Sequence, residues 1–224
     1  MSPGERCEII VDLSNGEPAE LLTLFEDQFD DQDGSLGSLI NRLIQTSNPR
    51  SQPSLKLVPD RRLSANRAPL PEKLGARIIR PKSAEIVRTR DFFLEMKNGA
   101  RGAHDSGPSG HSSMAMTING AAMDMNIINE RVERGVWERW RVRTNQGAHP
   151  FHVHGCSFLI EQMEGAPAPP DQRGWKDTVV ADDDDWSEIV VRFDYLANEK
   201  HPYMYHCHIL EHEDSGMMGQ FTVT

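Results

Sequence analysis

No apolar run in the 224-residue chain reaches the roughly 18 residues that a membrane-spanning helix needs, so no insertion into a bilayer is expected. The start, MSPGERCEIIVD, lacks the basic segment and apolar core of a secretory signal, a pattern shared by mature extracytoplasmic proteins. Positive charge is in deficit. Against 34 Asp and Glu stand 24 Lys and Arg, a formal charge of −10 that disfavours nucleic acid and anionic membrane surfaces as partners. Cysteine is scarce: Cys7, Cys156 and Cys207 cannot build a disulfide framework, and at least one thiol must be free or metal-bound.

Alternation of apolar and polar residues is the commonest pattern. Ile189, Val191 and Phe193 share one face of an expected strand, and Val136, Trp140 and Val142 mark another. Short strands are also expected at Glu8–Leu13, Leu55–Val58, Ala84–Met96, Ser157–Ile160, Asp177–Ala181, Tyr203–His206 and Phe221–Val223. Many short strands separated by Gly, Pro and Asp turns predict an all-β sandwich. Leu36, Leu39, Ile40 and Leu43 have the spacing of one short helix. The stretch Ser47–Leu74, carrying Pro49, Pro53, Pro59, Pro69 and Pro71, reads as a connection between domains. Ala100–Ser113 reads as an exposed loop, and Asp182–Asp185 as a solvated turn. Trp137, Trp140 and Trp175 are expected in the core or on strand faces, and His201 in a turn. Met114, Met116, Met123 and Met125 alternate in close pairs that suit packing on a strand face, with transient Cu(I) binding beside His104 and His111 as the other reading.

What the chain has in quantity is histidine, and six of the nine lie in two short segments: His149, His152 and His154 in HPFHVH, and His206, His208 and His212 around HCHILEH. A blue copper centre needs two imidazoles and a thiolate, with a weak thioether often on the axis. Cys207, His212 and Met217 have the spacing of a loop that wraps such a metal, and His149 can supply the second nitrogen. The other four histidines form two pairs, His152 with His154 and His206 with His208. In an extended segment each pair points to one side. Cys207, between the second pair, then faces a different site from its neighbours. A simple electron carrier has no use for those extra imidazoles.

The segments HPFHVHGCSF (His149–Phe158), GWKDTV (Gly174–Val179) and HCHILEHEDSGMMGQF (His206–Phe221) closely resemble the C-terminal domain of the multicopper oxidases: laccases, bilirubin-oxidase-like enzymes and bacterial cuprous oxidases. The resemblance extends through INGAAMDMN (Ile118–Asn126) to MSPGER at the start, which looks like the end of a preceding domain. It implies a cupredoxin-like Greek-key β-sandwich at 76–224, a linker at 59–75 and part of a preceding cupredoxin domain at 1–58. It also implies that His149, Cys207, His212 and Met217 hold a type 1 copper, His152 a type 2 copper, and His154, His206 and His208 part of a type 3 pair. Cys207, His206 and His208 would carry electrons, and Glu213 would relay protons. Asp177 either supports a loop or ligand histidine or caps a turn. Before His149, the sequence Asn145-Gln146-Gly147-Ala148 lacks the acidic and methionine residues that cuprous oxidases place near this copper.

An oxygen-reducing cluster of this family uses eight histidines in four pairs, and the chain offers two HxH pairs. The expectation is therefore a C-terminal piece of a three-domain oxidase, inactive until a missing N-terminal domain or complementary chain supplies the rest. The complete enzyme would be periplasmic or secreted. It would oxidise phenols, aromatic amines, bilirubin-like compounds or metal ions and reduce O2 to water. Two other readings stay open: a type 1 copper electron-transfer protein, and a structural fragment that binds adventitious zinc.

Overall fold

The computed structural model describes residues 2–24, 51–60, 62, 69, 78–97, 115–183 and 185–224. The expected helix around Leu36–Leu43, the loop Ala100–Ser113, His104, His111 and Met114 lie outside these residues. The chain divides into two compact units, one of Met1–Cys7 with Gly75–Thr224 and one of Glu8–Leu74.

Within the second unit, β1 (Ala19–Leu24) pairs antiparallel with β2 (Ser51–Leu57). Leu21, Leu22 and Leu55 on this ribbon are about half exposed, at 48%, 45% and 51%. The strand expected at Glu8–Leu13 is absent, and that segment is exposed and irregular. Its apolar residues Ile9, Ile10 and Val11 are exposed, so an apolar run alone did not make a strand.

The first unit is the expected β-sandwich. One mixed sheet contains β3 (Ile86–Lys97), β4 (Ala115–Ile118), β6 (Trp137–Thr144), β8 (Phe158–Met163), β9 (Ala166–Pro167), β10 (Trp175–Lys176) and β12 (Ser187–Arg192). Its order is β10-β8-β12-β6-β3-β4, with β9 beside β8. The other sheet contains β5 (Glu130–Val132), β7 (His149–Val153), β11 (Thr178–Ala181), β13 (Tyr203–Cys207) and β14 (Met218–Val223), in the order β11-β7-β13-β14-β5. Among the described residues the one α-helix is α1 (Leu210–Asp214).

β6 shows why the sandwich forms. Its sequence WERWRVRT buries Glu138, Trp140, Val142 and Thr144 on one face and leaves Arg139, Arg141 and Arg143 on the other. This is the two-residue period of a half-buried strand. Aromatic rings then join the two sheets: Phe92 on β3 lies 4.7 Å from Trp140 and 5.4 Å from Phe151 on β7, and Trp140 lies 5.6 Å from Phe221 on β14. β12 departs from simple alternation because Val190 is as buried as Ile189 and Val191, as fits a strand flanked on both sides by β6 and β8. Trp140 is core, whereas Trp175 is 51% exposed on a strand face. Met116 is buried in β4, but Met123 and Met125 lie outside any strand and Met125 is 75% exposed, so the second methionine pair does not pack on a strand face.

Candidate metal centre

The middle of the five-stranded sheet decides the site. β7 lies between β11 and β13, with His152 opposite Thr178 on one side and His206 on the other, while Cys207 stands opposite Phe151. Cross-strand partners share a face, and successive residues alternate. His149, Phe151 and Cys207 therefore turn toward the core, and His152, His154 and His206 toward the opposite face. After β13 the chain enters α1, which carries His212, and returns through Ser215-Gly216-Met217 to β14. Three backbone bonds close this loop: Met217 N–H to His212 O at 2.9 Å, Gly216 N–H to Glu213 O at 2.9 Å, and Cys207 N–H to Met217 O at 3.1 Å. Gly216 sits at φ +101°, a backbone state that favours glycine.

On the core side, His149 Nδ1, His212 Nδ1 and Cys207 Sγ form a triangle with sides of 3.2, 3.5 and 3.7 Å. A first-row metal about 2.0 Å from nitrogen and about 2.3 Å from sulfur in a trigonal plane needs sides of about 3.5–3.7 Å. The donor set fits a metal. It also faces inward in the right protonation state: His149 Nε2 donates to the Gln146 carbonyl at 3.0 Å, which leaves Nδ1 with its lone pair. Burial first, and His212 second, lower the His149 pKa to about 4. Burial lowers His212 as well, and it pushes the Cys207 thiol up to about 11. Met217 is fully buried beside them through its backbone bonds to Cys207 and His212.

On the other side, His152, His154 and His206 bring one ring nitrogen each within 4.8 Å of one another, and His154 Nε2 lies 3.2 Å from His206 Nε2. The His208 ring joins this cluster at 5.4 Å from that of His152 and 5.3 Å from that of His206. The outer nitrogens are held. His206 Nδ1 donates to the Cys207 carbonyl at 3.0 Å and lies 3.1 Å from Glu213 Oε2, while His152 Nδ1 lies 3.2 Å from Thr178 Oγ1 and 3.8 Å from Asp177. Metal-binding imidazoles are commonly oriented this way through their second nitrogen. Burial lowers the pKa of His152 to about 4, and burial with the charge of His206 lowers His154. Burial alone would raise Asp177, but the hydrogen bond and charge of Arg6 outweigh it and hold the carboxyl low.

The motif histidines and Cys207 are thus brought into two groups, one on each side of the sheet, with Met217 tied to the first by backbone bonds. His201 lies in an exposed turn closed by Asn198. Arg6, Thr178 and the Gln146 carbonyl were not legible as site residues, since each acts through strand pairing or a loop contact that no motif encodes. A cleft of about 610 Å³ lined by Trp137, Cys156, Trp175, Arg192 and Tyr195, among others, contains none of the motif histidines.

The profile of the family described as Multicopper oxidase matches residues 94–224. The chain belongs to the multicopper oxidases. Its relatives include the cell division protein FtsP of Dickeya dadantii, 33% identical over 98% of this chain and 41% of that protein. FtsP of Escherichia coli K12 is 30% identical over 100% of this chain and 41% of its own length. Among solved structures, a bacterial laccase-like multicopper oxidase, CueO from Ochrobactrum sp., superposes with a TM-score of 0.71 at 32% identity, covering 95% of this chain and 43% of that one. This multicopper oxidase chain therefore spans about two fifths of the length of the curated relatives it matches. Its two groups of His and Cys side chains are able to coordinate metal ions, and among the described residues no helix is long and apolar enough to cross a membrane.

Proposed function

We propose that this chain supplies the electron-accepting copper site and half of the oxygen-reducing cluster of a multicopper oxidase. His149, Cys207, His212 and Met217 would hold the type 1 copper, His152 the type 2 copper, and His154, His206 and His208 their share of the type 3 pair. Bound copper would supply one-electron redox chemistry at the first site and reduction of O2 to water, with four electrons and four protons, at the second. One observation carries the reading: in the register of β13 on β7, Cys207 faces one donor group while His206 on the same strand faces the other.

The residues of the chain then have distinct tasks. Cys207 links the two groups through its own backbone, and the 3.0 Å hydrogen bond from His206 Nδ1 to the Cys207 carbonyl adds a second connection. Glu213, 3.1 Å from that same nitrogen, is placed to hold or pass a proton at Oε2. Asp177 and Thr178 orient His152. Burial of His149, Cys207 and Met217 keeps water away from the first group.

The remaining histidines would come from an N-terminal domain or a complementary chain, and a small reducing compound or metal ion would donate the electrons. A periplasmic or secreted location suits that chemistry. For the chain by itself, electron transfer is the second reading, because the first donor group is complete while the second has four imidazoles. Copper reconstitution with visible and EPR spectra tests both. An intense blue band lost in Cys207→Ser supports the first site, and coupled copper with oxygen consumption after adding the N-terminal part supports the oxidase. A blue signal that never leads to oxygen consumption favours electron transfer alone, and a folded chain with no blue signal sinks both.

A further inference from the structure

The segment Ser2–Arg6 lies outside both histidine motifs, yet it reaches two members of the outer cluster. Arg6 donates to both oxygens of Asp177, at 2.6 and 2.7 Å, and also to the Gly4 carbonyl at 2.9 Å. The Thr178 hydroxyl donates to Asp177 at 3.3 Å. The same hydroxyl oxygen lies 3.2 Å from His152 Nδ1. Gly4 takes φ +79°, and a Cβ there would fall 2.4 Å from His208 Cδ2, so glycine alone lets this backbone lie against that imidazole. The turn also fixes itself, since the Glu5 carboxylate accepts from the Ser2 N–H at 2.6 Å and the Ser2 hydroxyl at 3.0 Å.

We infer that Arg6 is a positioning residue that sets the tautomer of His152. The direction of the hydrogen bonds gives the reason. A hydroxyl has one proton, and Thr178 spends it on Asp177, so toward His152 its oxygen can only accept. His152 then carries its proton on Nδ1, where the Asp177 backbone carbonyl is a further acceptor, and this leaves the Nε2 lone pair for a metal. Without the guanidinium fork, Asp177 is free to turn and Thr178 can point its proton at Nδ1 instead. The ring then protonates at Nε2 and loses its lone pair there. Gly4, tied to the same guanidinium, places His208 in parallel. This inference rests on the proposed reading that these histidines hold metal, but the tautomer itself is a property of the metal-free protein.

The Arg6 side chain is 69% exposed, and such ion pairs contribute little to folding. A purely structural role therefore predicts no change at His152. The test uses the whole 224-residue chain with Arg6→Met, Arg6→Lys and Thr178→Val. In metal-free protein at about pH 8, where histidine is neutral, imidazole 15N spectra should show His152 as a single Nδ1–H tautomer. Arg6→Met should give a mixture, and Arg6→Lys, which keeps charge without the fork, an intermediate state. Thr178→Val should also mix the tautomers and serves as the second variant if Arg6→Met folds poorly. His206, held by the Cys207 carbonyl, is the unchanged internal reference. Titration with Cu(II), followed by EPR, should show affinity at the histidine cluster falling about 10-fold or more in Arg6→Met. The blue band of the Cys207 group should stay constant. A His152 tautomer untouched in Arg6→Met overturns the inference. A tautomer that shifts in the variants, in a wild-type chain whose outer cluster takes no Cu(II), supports the inference and overturns the metal reading instead.

Discussion

Arg90 on β3 donates through Nε and Nη2 to both oxygens of Glu138 on β6, at 2.6 and 3.0 Å, and through Nη2 to the Arg131 carbonyl at 2.7 Å. It also pairs with Glu130 on β5, so one guanidinium ties the seven-stranded sheet to the edge of the five-stranded one. The Glu138 side chain is 3% exposed. In Arg90→Met its carboxylate keeps one donor, Trp140 Nε1 at 2.9 Å. Stranding a buried charge in this way costs about 3–5 kcal/mol. The loss in Arg90→Met should therefore be about 3–5 kcal/mol at neutral pH. Glu130 is partly hydrated, at 25% exposure, and adds little of its own. The double variant Arg90→Met/Glu138→Leu removes both charges and should lie within about 1–2 kcal/mol of wild type. Urea unfolding of the metal-free chain at pH 7, followed by tryptophan fluorescence, measures all three proteins. A deficit in Arg90→Met below about 1 kcal/mol, or a double variant as unstable as the single one, would refute the reasoning.

Gly216→Val forces a β-branched residue to φ +101° beside Ala122, so it should cost on the order of 1–3 kcal/mol and weaken the blue copper band; a normal melting temperature and band would count against it. The metal-free chain should lose stability on acidification: the unfolded chain takes up a proton on His149 below its ordinary 6.5, while the native ring stays neutral down to about 4. Over that window the loss from His149 alone is on the order of 3 kcal/mol, readable by urea unfolding, and a flat profile from pH 7 to 4 would contradict it. Because the Cys207 thiol is pushed up to about 11 and the two imidazoles are lowered, copper entry at the first group should release about one proton near pH 7. A pH-indicator titration checks this, with Cys207→Ser as the silent control; proton uptake, or release from the serine variant, would speak against the site.

The sandwich class and both histidine groups were legible in the sequence because strand alternation is local. Once HPFHVH and YHCH are extended, covalent geometry sends His152 with His154, and Cys207 away from His206, whatever the rest of the chain does. The loop from Cys207 to Met217 was equally readable from its length and ligand spacing. Alternation fixes parity only. It cannot say which residue of β13 stands opposite His152, or that Thr178 stands on the other side, because register is set by pairing between segments far apart in the chain. Tertiary structure also decided that Glu8–Leu13 joins no strand among the described residues and that Ala19–Leu24 forms β1. It turned Glu138 inward onto Arg90 and brought Arg6, 171 residues away, onto Asp177. Ligand chemistry was written in neighbouring residues, whereas the hydrogen bonds that orient those ligands depend on distant parts of the chain meeting, and only the fold brings them together.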